Sequence, residues 1–98
     1  MVKSDTNVLL NELLNSHWPK CNKLAQQLYE IGGEDAKSAL VEALKAKRHH
    51  ARTAAIKQLV KFQDPSVIRY IKAHLKDPAY ETRTEASLAL DILKQIKE

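Results

Sequence analysis

One cysteine, two glycines, three prolines and about five aromatic residues are thin provision for 98 positions, and each scarcity excludes something. Cys21 has no partner for an intrachain disulfide, so folding does not depend on an oxidising compartment and a reduced cytoplasm is the default expectation. With so little glycine and proline the composition suits packed helices better than sheet or disorder, and no low-complexity segment is evident. The chain also offers no glycine-rich loop to cradle a phosphate; Gly32-Gly33 reads as a helix terminator. No window approaches the ~18 apolar residues of a membrane span. The start, Met1-Val2-Lys3-Ser4-Asp5, lacks the basic and apolar blocks of a signal peptide, so no membrane association is expected. His17, His49, His50 and His74 lack the spacing and companions of a metal site, so no metal, cofactor or catalytic residue is expected. Trp18, Tyr29, Tyr70 and Tyr80 read as scattered over different repeat positions, without the interleaving with lysine that a base-stacking surface needs.

What is present is an apolar share of 44%, rich in Leu and Ala, with a mild excess of base: net charge +4 and pI near 9.3. That balance suits nucleic acid or an acidic protein, and by itself selects neither. The apolar residues recur at an offset of 31. Arg52-Thr53 falls on Arg83-Thr84, Ala55 on Ala86, Leu59 on Leu90 and Phe62 on Leu93. One step back places Leu28 under Leu59, Ile31 under Phe62, Leu40 under Ile71 and Leu44 under Leu75; Leu9 and Leu13 follow a step earlier. The chain is expected to be one domain, 1–98, of three copies at 1–31, 32–62 and 63–93 with a short tail at 94–98. Such a unit cannot bury its apolar faces alone, and stacking the copies makes a continuous core. The expectation is all-α: a right-handed α-solenoid of three helix hairpins, about six helices, in which Ala55 and Ala86 admit close helix approach.

Helix boundaries follow from caps. The first helix is expected over Asp5 to Asn15 with Ser4 or Asp5 as cap, and the second from Pro19, welcome in a first turn, to Ile31, where Gly32-Gly33 supplies the left-handed exit. The third covers Glu34 to Ala46 and the fourth His49 to Phe62. Asp64-Pro65 opens the fifth, to Lys76, and Asp77-Pro78 the sixth, to Ile96.

Leu75-Lys76-Asp77-Pro78, Thr82-Arg83-Thr84-Glu85-Ala86 and Leu88-Ala89-Leu90 resemble the HEAT repeat, in particular the short PBS-lyase HEAT-like form, over nearly the whole chain. The resemblance implies a structural, repeat-linking role for Asp77 and Arg83, six residues apart. Arg52 also matches, but Ala46 stands where its Asp belongs; Asn15 and Cys21 occupy the two places in the first copy, marking it as a degenerate end unit. The family is a scaffold without a common active site. Some members bind proteins, some help attach bilins, and some related helical-repeat proteins grip DNA, so fold analogy lends little.

Two features depart from what the fold needs. Lys45, Lys47, Arg48, His49, His50 and Arg52 crowd the turn before the fourth helix, whose N-terminus ordinarily favours acid. Lys47, Arg48, His50, Arg52 and Lys57 are the candidates for binding phosphate or nucleic acid; a solvated basic turn is the plainer account. Leu88 and Ile92 lie one turn apart outside the core stripe of the last helix, where earlier copies carry Lys57 and Lys61, then Gln26 and Glu30. They read either as a contact for a partner or a second copy, or as a lid over the core. Leu10 and Leu14 on the first helix pose the same choice, with the lid preferred. Trp18 reads as a packing residue and Cys21 as no nucleophile. The leading reading is a non-catalytic protein-interaction scaffold; nucleic-acid or phosphate binding is second, and an accessory subunit of a bilin lyase third.

Overall fold

The computed structural model describes residues 2–95. The expected continuation of the last helix to Ile96, and the tail beyond position 95, lie outside the described residues. Helix α1, Val2–Leu14, begins earlier than the capping pattern predicts, so Asp5 lies in its first turn and not ahead of it. There its charge still complements the positive end of the helix dipole. Helix α2, Lys20–Ile31, starts after Pro19, which is joined to Trp18 by a cis peptide bond. Gly32 ends it at φ 73°, donating its N–H to the Leu28 carbonyl at 3.2 Å, and Gly33 follows at φ 80°. Two successive left-handed positions explain the paired glycines, since a Cβ is strained at each.

Helix α3, Gly33–Ala43, ends before the predicted Ala46, and the chain closes through tight turns in which Leu44, Lys45 and Ala46 donate to Val41, Glu42 and Ala43. Helix α4, His49–Leu59, tightens into a 3₁₀ turn at Val60–Phe62. Asp64 then accepts the Ser66 N–H at 2.9 Å and Pro65 opens the next turn, as its sequence predicts. The fifth segment is the main departure. Only Ile68–Lys72 (α5) is α-helical, between 3₁₀ turns at Pro65–Val67 and Ala73–Lys76. Val67, Ile68, Tyr70 and Ile71 are modest helix formers, which weakens a long regular helix here. Helix α6, Tyr80–Lys94, starts two residues later than predicted, behind a turn in which the Asp77 carboxylate accepts the Ala79 N–H at 2.9 Å.

The helices pair as three hairpins. Helix α2 packs on α4 and α4 on α6, making a central row, while α1 and α3 adjoin on the other side; the slab measures 34 × 31 × 17 Å. Its thickness is two helix layers. Leu13, Leu28, Leu40, Ile56, Leu59, Ile71 and Leu93 are buried between the layers. Ala25, Ala54, Ala55, Ala86 and Ala89 are buried along the central row, where their small side chains let the helices approach. Leu75 breaks the expected equivalence with buried Leu44, being 40% exposed. It lies in a 3₁₀ turn, and a rotation of ~120° per residue in place of ~100° swings it off the core face within one turn.

Ionic contacts between the second and third hairpins differ from the pairing that the family resemblance implies. Asp77 is buried and its carboxylate is held bidentately by Arg52, not by Arg83: Nε and the second guanidinium nitrogen each donate at 2.8 Å. The third Arg52 nitrogen donates to the carbonyls of Ala46 and Lys47 at 2.9 and 3.0 Å. Arg83 repeats only this last part, donating to the carbonyls of Asp77 and Pro78 at 2.7 and 3.2 Å. Each arginine therefore braces the turn before its own helix through main-chain oxygens, so Ala46 can stand where an Asp was expected. Lys37 bonds to Asp64 as a second ionic tie. Asp64 raises the pKa of Lys37, while Lys37 and the Ser66 N–H hold Asp64 down to about 2. Burial opposes ionisation of Asp77, but Arg52, the Ala79 N–H and His74 together outweigh it and hold the carboxyl far below the usual carboxylate range.

Removing one member of a buried charge pair strands the other. Arg52→Ala is expected to cost about 3–5 kcal/mol in urea denaturation; a loss below ~1 kcal/mol would reduce the pair to an ordinary surface contact. Because the folded pKa of Asp77 is depressed, its contribution is present above the unfolded value, about 4, and fades as pH falls below it. Asp77→Asn should accordingly lose less stability than the native chain between pH ~5 and ~2.

Candidate functional site

On α6 the buried face is Thr82, Ala86, Ala89, Leu90 and Leu93. Spacing by four places Leu88 and Ile92 together on a different side, 53% and 50% exposed. Their side chains therefore do not cover the core as a lid. The corresponding residues one and two steps back, Lys57 with Lys61 and Gln26 with Glu30, are exposed as well. This is a lateral ridge of the central row, distinct from the face by which one helix stacks on the next. Thr53 and Ile56 on α4 share one face with Val60 of the 3₁₀ turn that follows, and the Thr53 hydroxyl meets that of Thr82 on α6 at 2.9 Å. Their counterparts on α6 are Thr84, Ser87 and Asp91, all exposed. The stacking face that α6 turns away from α4 is thus polar, and its apolar residues are displaced to the ridge. Leu10 and Leu14 differ: both are partly buried against the core.

The second feature is the rim where α2, α4 and α6 begin. Positions 18, 49 and 80 are equivalent in the 31-residue register, as are 19, 50 and 81. Trp18 and Tyr80, read from sequence as unrelated, therefore belong to one row, with His49 between them; they are 60% and 75% exposed. The Trp18 ring lies 6.3 Å from that of His50, and the His49 and His50 rings lie 4.1 Å apart. Glu81 Oε1 reaches His49 Nε2 at 3.3 Å and His50 Nδ1 at 3.5 Å. Acid that the α4 N-terminus lacks in its own sequence is thus supplied from α6. The expectation that the histidines lack companions is corrected here, since the ligating atoms of His49, His50 and Glu81 all lie within 4.8 Å of one another. His74 instead faces Asp77, its Nδ1 3.0 Å from Oδ2.

Two of the proposed anion ligands are engaged by carboxylates. Lys47, Arg48 and Lys57 are exposed, His50 faces Glu81, and Arg52 turns inward to Asp77. Two further cations, Lys61 and Arg69, lie on different parts of the molecule. Lys61 lies over the Tyr29 ring of α2 at 5.4 Å, on the central row, whereas Arg69 lines the crevice between α3 and α5 with Val41 and Tyr70. Cys21 is fully buried, and burial pushes its thiol pKa up. Among the described residues no helix is long and apolar enough to cross a membrane.

A family model described as HEAT repeats matches residues 6–91. No curated protein matches the chain.

Buried and with a raised pKa, Cys21 should react with an aromatic disulfide reagent at neutral pH only as fast as the chain opens. Native protein is expected to label at least about a hundredfold more slowly than protein in denaturant, given an opening free energy above ~3 kcal/mol. Equal rates would show the thiol to be accessible in the folded state.

Proposed function

The chain belongs to the HEAT-repeat family, whose helical stacks are generally protein-interaction scaffolds, and on that premise we propose that it is a non-catalytic adaptor that binds a partner protein through the ridge of α6. The observation that carries this reading is the half-exposed pair Leu88 and Ile92, set where the preceding hairpin exposes Lys57 and Lys61. Neither leucine-type side chain is needed to fill the core, and neither lies on the stacking face. A rigid helix presenting two aliphatic side chains one turn apart suits the helix-in-groove and groove-on-helix modes of recognition. Leu10 and Leu14, already packed against the core, are secondary candidates. A reduced, cytoplasmic setting fits the single buried Cys21.

Nucleic-acid or phosphate binding at the basic turn has less support, because Arg52 is committed to Asp77 and Glu81 sits against His49 and His50. An accessory role in bilin attachment rests on the family resemblance alone.

Leu88→Lys combined with Ile92→Lys is expected to leave helicity unchanged and stability within about 0.5 kcal/mol, as for surface substitutions. The same variant should lose the proteins that co-purify with the native chain after nuclease treatment, or lose self-association in sedimentation if the partner is a second copy. Partners retained by the double-lysine variant would contradict the ridge. Partners lost only on nuclease digestion would move the function to the basic turn.

A further inference from the structure

We propose that His49, His50 and Glu81 form a binding site for a divalent transition-metal ion, Zn²⁺ foremost, joining the start of α4 to the start of α6. Tetrahedral Zn²⁺ with bonds near 2.0–2.1 Å requires ligand atoms roughly 3.3 Å apart. Glu81 Oε1 stands 3.3 Å from His49 Nε2 and 3.5 Å from His50 Nδ1, and a ligating nitrogen of each ring lies with a Glu81 oxygen inside a mutual 4.8 Å. Two edges of the tetrahedron are therefore present, and closing the third requires rotation of the imidazoles toward each other.

Adjacent helical residues normally project ~100° apart and cannot serve one ion. Here they are the first two residues of α4, and their rings lie 4.1 Å apart at 38°. The main chain beneath them is fixed. Thr82, next to Glu81, donates its hydroxyl toward the His49 carbonyl at 3.4 Å and pairs with Thr53 at 2.9 Å, and the Arg52–Asp77 pair lies one turn further along α4. The ligands are thus brought together by contacts that leave their side chains free.

Two imidazoles and a carboxylate suit Zn²⁺, Ni²⁺ or Cu²⁺, whereas Mg²⁺ and Ca²⁺ favour all-oxygen sites. Side-chain exposures of 40%, 39% and 55% leave the ion accessible. Three protein ligands leave a fourth position for water or for a donor atom from a bound protein. Nearby Lys47 and Arg48 and the N-terminal ends of α4 and α6 oppose a cation, which sets the affinity below that of a closed structural zinc site.

The test is calorimetric titration of the chelator-stripped, full chain with ZnCl₂ at neutral pH, beside Glu81→Gln, His50→Asn and His17→Gln/His74→Gln. One saturable ion per native chain is expected, unaffected by excess Mg²⁺. Affinity should fall at least about tenfold in Glu81→Gln and in His50→Asn, and persist in the His17/His74 control. Affinity unchanged in either of the first two variants, or no saturable binding by the native chain, overturns the site. Should a variant lose helicity, Co²⁺ added to the native chain decides: a tetrahedral visible spectrum is expected, and an octahedral, water-like one refutes the assignment.

Discussion

The junction between α4 and α6 depends on one guanidinium. Arg52 grips both oxygens of the buried Asp77 carboxylate and, with its remaining nitrogen, the carbonyls of Ala46 and Lys47. One side chain thereby sets the turn before α4 and the turn before α6, and holds them at a fixed offset. Asp77 in turn orders the start of α6 by accepting the Ala79 N–H. The arrangement works because an arginine presents a planar fork with several donors, which a lysine in its place would not. The Thr53–Thr82 hydroxyl pair and the Lys37–Asp64 tie lie on the same side of the third hairpin, so its position is set by directional bonds as well as by apolar contact.

Apolar contact supplies the bulk of the cohesion, and small residues make it close. Ala54, Ala55, Ala86 and Ala89 are buried along the central row, leaving Leu28, Leu59 and Leu90 to fill the space between layers. A stack held this way displays whatever it carries on its ridge and rim with little conformational freedom, which lowers the entropy lost on binding. The two surfaces differ in chemistry: an aliphatic pair on the ridge at Leu88 and Ile92, and an aromatic, imidazole and carboxylate row on the rim from Trp18 to Glu81. Both depend on α6 being held in register against α4.

Much of this was legible from spacing. The offset of 31 located the core at Leu28, Leu59, Ala55 and Ala86; the paired glycines and Asp64-Pro65 marked real chain reversals; and Lys57 and Lys61 at the counterpart positions set Leu88 and Ile92 off the core stripe, leaving lid and contact surface both open. What escaped has physical causes. Apolar periodicity does not separate 3₁₀ from α geometry, so the fifth segment read as one helix and Leu75 as core. Aligning copies compares equivalent residues, whereas Arg52 bonds to a residue of the following hairpin, 25 positions on. The rim was within reach: residues 31 apart are neighbours in a stack, so His50 and Glu81 could have been placed side by side, and Trp18 and Tyr80 in one row.

The central claim is that α4 and α6 form one cooperative unit. Native-state hydrogen exchange, followed amide by amide under conditions where opening is at equilibrium, tests it most directly. The core amides of α6, from Ala86 to Leu93, should exchange with the same opening free energy as those of α4 around Ala55 to Leu59, and both should equal the global stability. Opening of α6 at a distinctly lower free energy, with α4 still protected, would contradict the account, because the ridge and rim would then sit on a separately fraying helix.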